Sequence, residues 1–261
     1  MIELRQVTGG YPGNPVLRHV DLTLEEGEIT SLIGPNGCGK TTLLRAACGL
    51  LPLMGGDVLY RGKNLRQYGR KEFARLVSIL PQTRDVPSIR AEQLVAHGRY
   101  PHLSFGRDLT RADREKIHWA MEQTGTLALR GKELSQLSGG ERQRVYLAMT
   151  LCQDTDILFL DEPTTYLDIG QKYEMLELVR QVNRLGKTVI MVLHDLPLAF
   201  SYSHRVVVLE GGKVAMEGKA QQVFDSGIPA RVFGVRSQML CVEGRKEYLF
   251  FQDTAADSPS L

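Results

Sequence analysis

Long hydrophobic runs are missing from this 261-residue chain. Its best apolar stretches, at 157–160, 189–193 and 206–209, fall far short of the ~20 residues that cross a bilayer, which excludes a membrane-spanning helix. A hydrophobic leader is missing too, because Glu3 and Arg5 interrupt the opening MIELRQVTGG; the chain is therefore expected to remain in the cytosol. No sign of charge dominates. With 32 basic against 30 acidic side chains the formal net charge is +2, and no nucleic-acid partner is expected. Cysteine is sparse: Cys38, Cys48, Cys152 and Cys241 are scattered, with no CxxC pair and no metal-ligand spacing, and they read as reduced thiols. His97, His102 and His118 fit no ligand pattern either. Repeats and low-complexity tracts do not occur.

What is present, 43% hydrophobic and 24% charged residues, is the composition of a globular protein with a real core. The length suits one large domain, or one domain carrying an inserted lobe. Short β-like stretches at 2–7, 20–24 and 29–33 open the chain, the last running into a glycine-rich turn and a helix over 41–48 closed by Gly49. Six basic residues and one acid between 61 and 75 describe a solvated face.

From Gln82 to about 151 the pattern turns helical. Thr110 with Asp113 and Ser138 with Glu141 have capping-box spacing, and the second pair predicts a helix starting at Gly139. Ile169, Tyr173, Leu176 and Val179 recur at helical spacing in a helix ending near Gly186. Buried strands are expected at 157–160, 188–193 and 205–209, and Gly211-Gly212 turns a hairpin into 214–216. This βαβ rhythm implies an α/β fold with a mainly parallel sheet covered by helices. Past 220 there is one hairpin, 239–242 with 248–251 around Gly244-Arg245, and a frayed tail.

The residues Gly34, Pro35, Asn36, Gly37, Cys38, Gly39, Lys40 and Thr41 spell GxxxxGK[ST] between a strand and a helix, the context in which that pattern binds nucleotide phosphates. Glycines let successive backbone N–H groups wrap the phosphate oxygens at a helix N-terminus. Lys40 supplies charge to the β- and γ-phosphates, and Thr41 offers its hydroxyl to the accompanying Mg²⁺. Four apolar residues at 157–160 lead into Asp161 and Glu162, placing two carboxylates at the sheet's C-terminal edge. Asp161 would act on Mg²⁺ through water, and Glu162 would be the general base for the attacking water. Cys38 occupies a variable loop position or is a redox-sensitive thiol near a helix N-terminus.

Leu137-Ser138-Gly139-Gly140-Glu141-Arg142-Gln143 closely resembles the signature sequence of ABC-transporter ATPase subunits, and the resemblance covers roughly residues 1–225. It implies a P-loop ATPase core, an N-terminal antiparallel β subdomain and a helical signature subdomain inserted at about 83–152. Residues 226–261 would then be a small extension. Other elements of that family fall in order: Gln82, Tyr166-Leu167-Asp168 and His194. The resemblance implies that Gln82 contacts Mg²⁺ or the attacking water, His194 the γ-phosphate and Asp168 the opposite subunit, while Tyr11 stacks on adenine. Thr42 joins the ATP-binding loop. It also implies a head-to-tail homodimer in which Ser138, Gly139, Gly140 and Glu141 of one copy face the ATP of the other.

Tyr166, where many such ATPases carry a small residue, together with Ile169 and the stretch from Val95 to His102, looks most like the importers of ferric siderophores, haem and vitamin B12. That likeness implies an ATPase on the cytoplasmic face of the bacterial membrane. It would serve a polytopic permease docking near Val86 to His102, fed by an extracytoplasmic binding protein. Haem or cobalamin import, and a soluble ABC ATPase outside transport, are the alternatives.

Overall fold

The computed structural model describes residues 1–11, 13–82, 86–103 and 108–252. The expected frayed tail lies outside them, as do a few positions of the inserted lobe. The chain divides into two compact units, one of 1–24, 28–62 and 192–261, the other of 25–27 and 63–191.

In the first unit the strand Ile2–Tyr11 pairs antiparallel with Asn14–Leu24 on one side and with Leu53–Tyr60 on the other. Alternation explains their burial: Ile2, Leu4 and Val7 face Leu17, Val20 and Leu22 in the core while the intervening polar residues reach solvent. Both of the first two strands are longer than the expected stretches, because glycine- and proline-interrupted residues continue the ladder. A second group runs in the order Lys213–Lys219, Arg205–Glu210, Ile29–Ile33. Ile29–Ile33 is buried throughout and lies parallel to Arg205–Glu210, as expected of a strand covered on both faces.

The C-terminal hairpin pairs Val235–Val242 with Arg245–Gln252. Val242 stands opposite Arg245, so the turn is Glu243-Gly244, with φ of +51° and +77°, rather than Gly244-Arg245. Two positive φ values make a turn whose twist matches the strands. Tyr248 anchors the hairpin, with ring centroids 5.5 Å from Phe200 and 4.9 Å from Phe224.

The second unit holds the strands Thr188–Val192, Ile157–Asp161 and Val77–Leu80 in that order, the last two parallel. Around them lie the helices Ala91–His97, Arg111–Gln123, Gly139–Cys152 and Ile169–Arg184. Both capping boxes form. Thr110 Oγ1 accepts from Asp113 N at 3.2 Å, and Ser138 Oγ accepts from Glu141 N at 3.2 Å, so the signature helix begins at Gly139 as the spacing requires. The helix from Ile169 also forms, but its buried face is Met175, Leu176, Val179 and Val182, whereas Ile169 and Tyr173 are 75% and 49% exposed. Spacing gave the period correctly and two members of the stripe wrongly, because the buried face is centred on Met175, Val179 and Val182, to one side of Ile169 and Tyr173 around the helix.

A dense joint holds the lobe together. A Cβ on Gly98 would lie 2.4 Å from the Met149 carbonyl oxygen, so only glycine allows this approach to the helix Gly139–Cys152. Beside it the half-buried Arg99 guanidinium donates to Asp113 Oδ1 at 2.9 Å and to the Cys152 carbonyl at 2.9 Å. The Thr110 hydroxyl, then Arg99, hold the Asp113 carboxyl at a pKa of about 2 despite burial.

Candidate functional site

The expected site residues divide between the two units. Tyr11, the phosphate loop and His194 belong to the first; Gln82, the signature, Asp161, Glu162 and Asp168 belong to the second.

The phosphate loop connects the buried strand Ile29–Ile33 to the helix Lys40–Ala47. Its backbone demands glycine: Gly34 has φ +155°, and a Cβ there would fall 2.3 Å from the Leu209 carbonyl oxygen and 2.6 Å from Cys38 Sγ. Gly39 caps the helix at φ +108°. The base of the loop is pinned through the 211–212 turn. Gly212 N donates to the Cys38 carbonyl at 3.1 Å, and Arg18 N donates to the Gly212 carbonyl at 2.9 Å.

Lys40 is 6% exposed. Its Nζ donates to the Gly34 and Pro35 carbonyls at 2.8 and 3.0 Å, so the ammonium is held inside the curve of the loop. Thr42 is buried and Thr41 half-buried. Burial raises the Cys38 thiol above its ordinary value, against the pull of Lys40, and this disfavours the reactive thiolate. Tyr11 ends its strand 45% exposed, and its hydroxyl accepts from Arg45 of the following helix at 3.2 Å. His194 is exposed, just before Asp195, whose carboxylate caps the helix Leu196–Tyr202.

In the second unit Asp161 ends its strand 2% exposed, and Glu162 follows at 8%. Glu162 takes φ +53°, a region costing a non-glycine residue about 1 kcal/mol or more and concentrated at functional sites. Gln82, eighty positions earlier, donates from Nε2 to Glu162 Oε2 at 2.6 Å. Thr165, a residue the sequence reading missed, donates its hydroxyl to the same oxygen at 2.9 Å. Gln143 of the signature stretch donates to the Pro163 carbonyl at 2.6 Å, tying the signature helix to the carboxylate turn. The pattern that could have flagged Thr165 is a hydroxyl three residues after a carboxylate, the spacing of a local side-chain hydrogen bond.

Within the signature, Ser138 N donates to Glu141 Oε2 at 2.9 Å, and this N–H, with the hydroxyl, holds the Glu141 carboxyl below its usual range. The two glycines differ. A Cβ on Gly140 would lie 2.8 Å from Gln171 Cδ, whereas one on Gly139 meets no atom closer than the Tyr166 carbonyl oxygen at 3.9 Å. Gly140 is buried against the end of the Gln171 side chain, and Gly139 is exposed. Asp168 accepts from Gln171 N at 2.8 Å and caps the helix Ile169–Arg184. A cavity of about 300 Å³ beside these groups is lined by Gln82, Gly139, Arg142, Gln143, Thr165 and Tyr166 among others.

Across residues 86–102, Val86 and Tyr100 are 44% and 58% exposed. His97 stacks on Tyr100 with centroids 4.8 Å apart, and His102 Nε2 lies 2.8 Å from the Gln153 carbonyl. Among the described residues no group of three His, Cys, Asp or Glu could hold a metal.

A phosphate-binding loop after a buried parallel strand, with a carboxylate pair ending another strand, defines a P-loop nucleotide hydrolase. The ABC transporter family profile matches residues 17–165, more than half of the chain. The iron(3+)-hydroxamate import ATP-binding protein FhuC of Bacillus subtilis is 40% identical over 242 residues, 92% of this chain and 90% of that one. The ferric enterobactin transport ATP-binding protein FepC of Escherichia coli is 38% identical over 237 residues, 90% and 88% of the two chains. A solved dimeric ATP-binding cassette in a post-hydrolysis state with ADP and Pi superposes with a TM-score of 0.72 at 26% identity, over 84% of this chain and 99% of that one. The chain belongs to the ABC transporter family and is one of its ATP-hydrolysing subunits.

Proposed function

We propose that this chain powers a bacterial importer for ferric siderophores or a related metal chelate, as a homodimer on the cytoplasmic membrane face beneath a polytopic permease. Kinship carries the reading: relatives 38–40% identical over about nine-tenths of the chain are named for import or transport of ferric chelates. Those two differ in cargo at nearly equal identity, which suits a subunit that never touches the cargo. The exposed Val86 and Tyr100 give the stretch from Val86 to His102 apolar surface for a permease helix. The permease in turn would be fed by an extracytoplasmic binding protein.

In this reading each residue of the ATP site has a stated task. Lys40 and the N–H groups of the phosphate loop hold the β- and γ-phosphates, Tyr11 stacks on adenine and His194 contacts the γ-phosphate. Thr41, Gln82 and Asp161 would hold Mg²⁺, and a hydroxyl, an amide oxygen and a carboxylate are the all-oxygen donors this cation prefers. When bound, it neutralises charge on the β- and γ-phosphates. Glu162 takes a proton from water as the water oxygen bonds to the γ-phosphorus. The bond to the bridging oxygen breaks, and ADP departs with that electron pair. Ser138, Gly139, Gly140 and Glu141 of the second copy close over the same phosphates, with Asp168 beside the seam. ATP binding closes the dimer and loss of phosphate reopens it, a nucleotide-biased switch.

The test is uptake. In the source organism lacking this gene, entry of radiolabelled iron as a ferric hydroxamate and as ferric enterobactin is measured, with wild type or Glu162→Gln restored. Loss of uptake of at least one chelate, repaired by wild type alone, supports the proposal. Unchanged uptake of every ferric chelate, haem and cobalamin, with soluble partners retained on ATP-trapped Glu162→Gln, would overturn it in favour of a non-transport ABC ATPase.

A further inference from the structure

Two donors converge on one oxygen of Glu162, and they are held very differently. Gln82, at 2.6 Å from Oε2, is an exposed residue two positions beyond the strand Val77–Leu80. Thr165, at 2.9 Å, sits in the same tight turn as Glu162. Its N–H donates to the Glu162 carbonyl at 3.3 Å; buried Thr164 precedes it, and buried Leu167 follows beyond the exposed Tyr166. A β-branched side chain in such a turn has few rotamers to choose from, so its hydroxyl is a fixed donor. Glu162 itself has a left-handed backbone, and its Oε2 accepts from that hydroxyl. By donating from Nε2, Gln82 also points its amide oxygen away from Glu162, the orientation needed if that oxygen is to meet a metal or water.

We propose that Thr165 is a positioning residue for ATP hydrolysis: its hydroxyl fixes Oε2 of Glu162, so that the carboxylate keeps its aim when Gln82 moves. The inference rests on the reading of Glu162 as the general base. A hydroxyl that only closes the turn would have a different signature. Removing it would lower stability and leave the chemical step of the folded enzyme intact. A positioning hydroxyl acts on turnover, because a carboxylate free to rotate spends less time aligned with the water.

The experiment uses the purified full-length chain and steady-state phosphate release with MgATP. Thr165→Val matches the shape and lacks the hydroxyl; Thr165→Ser restores it; Thr165→Ala is a second hydroxyl-free variant in case valine impairs folding. Loss of one hydrogen bond to a charged group is expected to lower kcat about tenfold in Val and Ala, with KM for ATP within about twofold and Ser within about threefold of wild type. In a Gln82→Ala background, where Thr165 is the remaining one of the two donors, the Thr165→Val loss should exceed its loss in wild type.

Wild-type kcat in Val and Ala, equal losses in Ser and Val, or a loss confined to KM would overturn the proposal. The two readings fail separately. Undiminished hydrolysis by Glu162→Gln removes the general base itself, whereas an inactive Glu162→Gln beside a fully active Thr165→Val removes only the role of Thr165.

Discussion

Replacing Asp113 by asparagine removes the charge that Arg99 meets inside the helical lobe, and the structure sets the size and pH dependence of the effect. The two side chains are 8% and 11% exposed with 2.9 Å between Oδ1 and Nε. The folded pKa of about 2 against an ordinary 3.8 is worth about 2 kcal/mol at pH 7. The depressed value fixes the sign: the carboxylate stabilises the fold above its unfolded pKa, and the contribution is lost as pH falls toward about 2. Linkage leaves about 1 kcal/mol at pH 3. The stability gap between wild type and Asp113→Asn should therefore shrink by about 1 kcal/mol between pH 7 and pH 3. Taking the difference cancels the other carboxylates.

Urea denaturation followed by the fluorescence of Trp119, the single tryptophan and a member of the helix that Asp113 opens, reports on this lobe directly. A gap that stays constant from pH 7 to pH 3 would refute a carboxylate held low by Thr110 and Arg99 and leave Asp113 as a neutral cap.

Gly98→Ala should destabilise the same lobe by about 1–3 kcal/mol, since the new methyl meets backbone rather than a yielding side chain; an unchanged urea midpoint would contradict the close approach to Met149. Gly34→Ala should abolish ATP binding in equilibrium dialysis, because its Cβ would overlap the Leu209 carbonyl; wild-type affinity would show that the loop can rearrange. Thiol labelling of the native chain should proceed fast at exposed Cys241 and slowly at buried Cys38, Cys48 and Cys152. Burial lifts Cys152 to about 12. Rapid modification of Cys38 would instead favour a redox role for the phosphate loop.

The sequence was most legible where local chemistry dictates local structure. The phosphate loop's grip on Lys40 and both capping boxes are short patterns whose hydrogen bonds lie within a few residues. Long-range consequences were less legible. Nothing in the spacing of Gln82 and Glu162 announces that they share a hydrogen bond, and Gly98 looks like an ordinary helix end until the Met149 carbonyl is seen beside it. The exposed Ile169 and Tyr173 show why periodicity alone misjudges burial: it fixes the repeat but not which way round the helix the core lies. The positive φ of Glu162 and the fixed hydroxyl of Thr165 depend on how a buried strand ends, which a pattern of apolar letters does not encode.

The central claim is that Glu162 performs the chemistry on ATP held by the Lys40 loop. The most direct measurement is phosphate release and retained nucleotide for purified wild type, Lys40→Ala and Glu162→Gln at saturating MgATP. The account predicts turnover in wild type, lost nucleotide binding in Lys40→Ala, and in Glu162→Gln tight ATP retention with hydrolysis reduced by about a hundredfold or more. Hydrolysis by Glu162→Gln at the wild-type rate would contradict it.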